Sequence, residues 1–180
     1  TRIPILVEGL EDISYITTEL HLWDQWPEFR RLGCHLIPVN GKDKLIQPLA
    51  IAVELGIPVF VIFDSDGDQP RQEHRKKHEK DNLALFSLLG INDSPFPTEH
   101  IWRDNCAVWK SNLTDAVKED FGDAYAQFTE KARQNYAIEG GLEKNHLFIA
   151  DWLSIAHAEN RTSTILERLC QTIIAYAKSV

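Results

Sequence analysis

Short apolar runs alternate with longer stretches of helical periodicity in the first half of this chain. Ile3–Val7 has strand length and stops abruptly at Glu8-Gly9. Residues 11–22 follow with Ile13, Ile16 and Leu20 at helical spacing. A second strand is predicted over 35–39, broken by the turn pair Asn40-Gly41. Leu45, Leu49 and Val53 then recur at four-residue steps, which predicts a helix over 43–55 with those three facing inward. Pro48 falls near its first turn, where a missing N–H costs least. Gly56 stops that helix, and Pro58 opens a strand over 59–63 that ends in Asp64-Ser65-Asp66-Gly67-Asp68.

A β-α-β-α-β order implies a parallel sheet with right-handed crossovers. Beyond it the pattern predicts a helix over Gln72–Leu89 ended by Gly90, a loop at 94–97 and a short strand at Cys106–Trp109. Helices are predicted over 113–120, 124–136, 144–158 and 163–177. The last carries Ile165, Leu169, Ile173 and Ala177 at core spacing. Gly140-Gly141 reads as a turn, and no repeat is visible. The fold class is therefore α/β, with a length of 180 residues suited to one domain over 1–180.

Composition narrows the setting. No apolar run approaches the length needed to cross a bilayer, and no signal peptide is seen, so a soluble, cytoplasmic protein with no membrane partner is expected. The chain contains no methionine, which suggests a domain cut from a longer product. Cys34, Cys106 and Cys170 are odd in number and widely spaced, which argues against structural zinc and for buried free thiols. A net charge of −8 argues mildly against nucleic acid. The balance is uneven, however, because Arg71, Arg75, Lys76, Lys77 and Lys80 crowd into one stretch after the second acidic cluster.

The carboxylates carry the candidate chemistry. Glu8, Asp12, Asp64, Asp66 and Asp68 all lie just past strand ends, the edge where open parallel sheets bind ligands. Asp12 is one helical turn beyond Glu8, so both can face the same space. Clustered carboxylates repel one another, and hard divalent ions such as Mg²⁺ or Mn²⁺ relieve that repulsion. A calcium EF-hand fails, because its required Gly and Glu positions hold Gln69 and Arg75. A haloacid-dehalogenase arrangement would put the Asp-x-Asp after the first strand, and here it follows the third. No P-loop is present, so no nucleotide site is expected. Lys42 reads by default as a solvated lysine, and the Arg71–Lys80 stretch is balanced between a solvated helix face and phosphate contacts. Tyr15, Tyr125, Tyr136 and Tyr176 fall in predicted helices, where packing is the expected role.

In that order, Glu8, Gly41 and Asp64-x-Asp66 resemble the Toprim domain shared by topoisomerases, primases and several nucleases. Val7-Glu8-Gly9 with Asp12, Asn40-Gly41-Lys42 and the run from Phe63 to Asp68 are similar to the Toprim domain of OLD-family (overcoming lysogenization defect) nucleases. The stretch 80–90 resembles that family's helical insertion. The resemblance implies a Toprim-like parallel sheet flanked by helices, with that insertion and a helical C-terminal part. It implies a DNA endonuclease that hydrolyses phosphodiesters with two Mg²⁺ or Mn²⁺ ions. It places Glu8, Asp64, Asp66 and Lys144 as catalytic residues, and Glu8, Asp12, Asp64, Asp66 and Asp68 as metal ligands. The family's later Glu is replaced here by Thr114, leaving Asp115 as a substitute ligand. Lys42, Arg71, Arg75, Lys76 and Lys77 would meet DNA phosphates. An upstream ABC-type ATPase is a further implication, and homo-oligomerisation of the longer protein stays open. Two alternatives also stay open: a Toprim nucleotidyl transferase or topoisomerase-type subunit, and a non-cleaving module that binds DNA or a partner.

Overall fold

The computed structural model describes residues 2–137 and 140–180. Among these, five strands form one sheet: β1 (Ile3–Val7), β2 (Cys34–Pro38), β3 (Phe60–Asp64), β4 (Ile101–Arg103) and β5 (Cys106–Trp109). The order is β2-β1-β3-β5-β4, parallel throughout except for the β4–β5 pair. The strand-end acids therefore sit where the order reverses: the chain passes from β1 outward to β2, then returns to lay β3 on the other side of β1.

Period-two alternation divides the core between the two faces. Ile3, Ile5 and Val7 of β1, Phe60 and Ile62 of β3, and Ala107 and Trp109 of β5 enter one cluster. Leu6, Val61, Phe63, Cys106 and Val108 enter the other. On the first face pack α1 (Leu10–Leu22), α5 (Leu113–Phe121), α6 (Ala124–Arg133), α7 (His146–Ala158) and α8 (Thr164–Ser179). On the second pack α3 (Ile46–Glu54) and α4 (Gln72–Leu89). Parallel strands covered on both faces are apolar along their whole length, which explains why these runs lack polar alternation.

Several elements differ from the sequence expectation. The helix expected over 43–55 begins at Ile46, after a 3-10 turn at Lys42–Lys44. Leu45 and Leu49 are buried as expected, but two turns of helix return to Ala52, which takes the third inward position and leaves Val53 half exposed. A short helix, α2 (Trp26–Arg31), and the edge strand β4 were not expected. The helix expected over 124–136 stops at Arg133, and Tyr136 lies beyond it, donating its hydroxyl to Asp151. Cys34, Cys106 and Cys170 are free and buried. No helix among the described residues is long and apolar enough to cross a membrane.

Candidate metal centre

Three chain turns build the site. β1 delivers Glu8, and Gly9 then starts α1 with its N–H donated to Asp12 Oδ2 at 2.9 Å. β3 ends in Asp64, whose own N–H is donated to Glu8 Oε1 at 2.8 Å. This bond ties the two strand ends together through one carboxylate. Asp64 Oδ1 in turn accepts the Leu113 N–H at 3.2 Å, at the positive end of α5. The loop after β3 is pinned by Ser65, fully buried, whose hydroxyl donates to the Lys110 carbonyl at 2.6 Å. Asp66 adopts a left-handed φ of 53°. At Gly67 a Cβ would stand 2.7 Å from the Lys110 carbonyl oxygen, so the loop needs glycine there. After β2, Gly41 (φ 126°) donates its N–H to the Glu8 carbonyl at 3.1 Å and turns Lys42 inward.

Lys42 is 4% exposed, and its Nζ lies 2.6 Å from Asp66 Oδ2. The expectation of a solvated, DNA-facing lysine is thereby corrected: Gly41 directs the side chain into the acidic cluster. His78 Nδ1 stands 3.0 Å from the same Asp66 oxygen, without hydrogen-bond alignment. Burial holds that imidazole below its ordinary value despite the nearby Asp66 carboxylate. Burial pushes Glu8 up to about 7, against the opposing Asp64 N–H and Lys42 charge, while Asp66 and Asp12 add to the rise. Burial likewise pushes Asp12 up to about 6, against the Gly9 N–H. Asp64 is raised well above the usual carboxylate range by burial and then by the charges of Glu8, Asp12 and Asp66.

Glu8, Asp12, Asp64 and Asp66 line one cleft of about 830 Å³ with Lys42, His78, Asp81, Asp115 and Lys144. Asp68 does not join them. The left-handed turn at Asp66 carries it into a neighbouring cavity of about 600 Å³. Asp115 borders both spaces, but its oxygens are engaged locally, with Asn112 Nδ2 at 2.7 Å and Lys118 Nζ at 3.6 Å. Lys144 lines the cleft at its rim, 85% exposed, with Nζ 3.7 Å from Glu11 Oε1. Arg71 and Lys76 are exposed. Arg75 is turned back onto the loop, donating to the Gly67 carbonyl with its guanidinium 3.8 Å from the Phe96 ring centre. Lys77 pairs with Asp43 at 3.3 Å. Asp81 and His78 were not picked out from sequence, although their spacing from Lys77 and Asn82 along α4 puts them on the face that meets the cleft.

Residues 2–66 match the family described as overcoming lysogenization defect protein-like, TOPRIM domain. Over that first third the chain is similar to OLD-like Toprim domains. The match spans the elements bearing Glu8, Asp12, Lys42, Asp64 and Asp66, and stops short of Asp68, Asp115 and Lys144. Among solved structures, the C-terminal region of the Burkholderia pseudomallei OLD protein is 21% identical, with a TM-score of 0.48 over 99% of this chain and 88% of that one. The C-terminal region of the Xanthomonas campestris pv. campestris OLD protein, phased with platinum, is 16% identical, with a TM-score of 0.49 over 100% of this chain and 84% of that one. No protein of curated function matches in sequence.

The donor chemistry of this cleft suits a hard divalent cation, because every candidate ligand is a carboxylate oxygen. Burial first, and the neighbouring carboxylates after it, favour the neutral forms of Glu8, Asp12 and Asp64, and a bound cation would favour the ionised ones. Among the described residues, though, no three His, Cys, Asp or Glu side chains converge as they would around a metal ion. The Lys42 ammonium stands beside Asp66, close enough to Glu8 and Asp64 to favour their ionised forms.

Proposed function

We propose that this chain is a metal-dependent DNA endonuclease that hydrolyses phosphodiester bonds with two Mg²⁺ or Mn²⁺ ions. The observation that carries the reading is the direct tie between Glu8 and Asp64 at the sheet's switch point, beside Asp66. Glu8, Asp64 and Asp66 would hold the ions, with Asp12 beside them and Asp68 and Asp115 as outer candidates. When bound, such a pair supplies an activated water and stabilises the leaving oxygen. Lys144, which lines the same cleft, would meet the negative charge that builds on the phosphate. Arg71 and Lys76, exposed at the start of α4, would hold backbone phosphates without reading sequence.

Nicking of supercoiled plasmid in Mg²⁺ or Mn²⁺, compared with the same reaction in EDTA, tests the reading. Asp64→Asn should abolish it, and equal cutting by that variant would refute it. The non-cleaving alternative draws support from Thr114, which stands where the resemblance implies a Glu. A topoisomerase-type subunit acting through a tyrosine draws none, since no tyrosine lines the cleft among the described residues.

A further inference from the structure

The geometry points to Lys42 as a resident stand-in for the metal: its ammonium neutralises the acidic cluster in the cation-free protein and must withdraw when a divalent ion binds. The inference rests on the metal reading above and adds to it a competitor built into the chain.

Lys42 is among the few charged side chains buried in the molecule, and its partner is a proposed ligand. A lysine is buried only when paired, and its removal from water is costly. Here the pairing is with the carboxylate oxygen of Asp66 at 2.6 Å, while the same charge opposes the rise of Glu8 and Asp64. An ammonium and a divalent cation cannot both sit against that Asp66 oxygen without strong repulsion. The backbone leaves a way out. Lys42 opens a three-residue 3-10 turn on the cleft wall, and Asp43 and Lys44 beside it are exposed. A flexible four-carbon stem can keep its methylenes packed while the ammonium moves to water.

Two measurements test this. Calorimetric titration with Mg²⁺ compares wild type with Lys42→Gln, which keeps a hydrogen-bond donor and loses the charge. Removing the competitor should tighten Mg²⁺ binding about tenfold, a change of ~1.4 kcal/mol. Amine acetylation read by mass spectrometry follows wild type alone, so it decides the matter even if Lys42→Gln fails to fold. Lys42 should be protected in EDTA and become reactive in saturating Mg²⁺, while the exposed Lys144 reacts in EDTA as an internal control. Equal or weaker Mg²⁺ binding by a folded Lys42→Gln, or continued protection of Lys42 at saturation, overturns the inference and leaves the metal reading standing. Absence of any Mg²⁺ or Mn²⁺ binding by wild type overturns both.

Discussion

Glu8 joins the strands and carries part of the site's charge, and the two roles have different pH behaviour. Its carboxylate accepts the Asp64 N–H whether protonated or ionised, but burial favours the protonated form and raises it to about 7. A carboxyl raised on folding gives stability that is full below its ordinary value of 4.5 and is lost as pH rises through the folded value. Asp12, raised to about 6, acts with the same sign. The metal-free protein should therefore melt lower at pH 8 than at pH 5. Glu8→Gln keeps an acceptor oxygen and cannot ionise, so in EDTA at pH 8 it should melt at least about 2 °C above wild type. The two should converge near pH 4.5. Melting curves in EDTA across pH decide this, and a wild type equally stable at pH 5 and pH 8 would contradict it. Glu8, Asp64 and Asp66 were legible in sequence because apolar strand runs end on them. Lys42 was not, since a lysine after a turn glycine is ordinarily solvated, and only the φ of 126° at Gly41 turns it inward. Asp68 stands apart for a related reason: the turn through Asp66 and Gly67 carries it to the neighbouring cavity.

At the level of elements, α4 combines functions that its charge run made look uniform. Its first turns carry the basic residues, while its buried face locks the loop after β3. Asn82, fully buried, donates from Nδ2 to the Ser65 carbonyl at 2.9 Å and the Pro95 carbonyl at 2.7 Å. Asn82→Ala leaves both carbonyls short of a donor, a cost of ~1–3 kcal/mol for each buried group left unpaired. It should lower the melting temperature and weaken Mg²⁺ binding together, because the freed loop carries Asp66. Unchanged melting would show that water replaces the amide. Arg75 is similarly committed to Gly67 and Phe96, whereas Arg71 and Lys76 are exposed. Arg71/Lys76→Ala should flatten the salt dependence of DNA binding by roughly two phosphate contacts, while Arg75→Ala should mainly lower stability. DNA binding measured against NaCl in EDTA separates the two, and an unchanged slope for the double variant would return Arg71 and Lys76 to a solvated face. Long helices such as α4 and α8 were readable from their periodicity. α2 and β4 were not, because six and three residues are too few to establish a period.

Across the whole molecule, the sheet divides the labour. One face, under α3 and α4, bears the turns that carry Lys42 and pin the Asp66 loop, and the other, under α1 and α5–α8, bears the wall with Lys144. The strand order that sets Glu8 against Asp64 could not be read from sequence. A β-α-β-α-β pattern fixes parallel direction but leaves open which strands are neighbours. That wall is positioned by tertiary contact: Ser14 of α1 donates its hydroxyl to the His146 carbonyl at 2.7 Å, fixing the start of α7 just after Lys144. From there Lys144 is held at 3.7 Å by Glu11, near enough to favour ionised Asp12, yet outside the carboxylate cluster. A lysine so placed contributes little to the fold, since an exposed ion pair is worth ~0–1 kcal/mol. It also competes with no ligand, unlike Lys42. Its value would appear when charge builds on a bound phosphate. Lys144→Ala should thus lower the cleavage rate by about 10²-fold and leave melting temperature, Mg²⁺ affinity and DNA affinity near those of wild type. Single-turnover cleavage beside calorimetry distinguishes these quantities. A full rate in Lys144→Ala would assign the lysine to its pair with Glu11 alone, whereas a loss of Mg²⁺ affinity in step with rate would mean that it shapes the metal site.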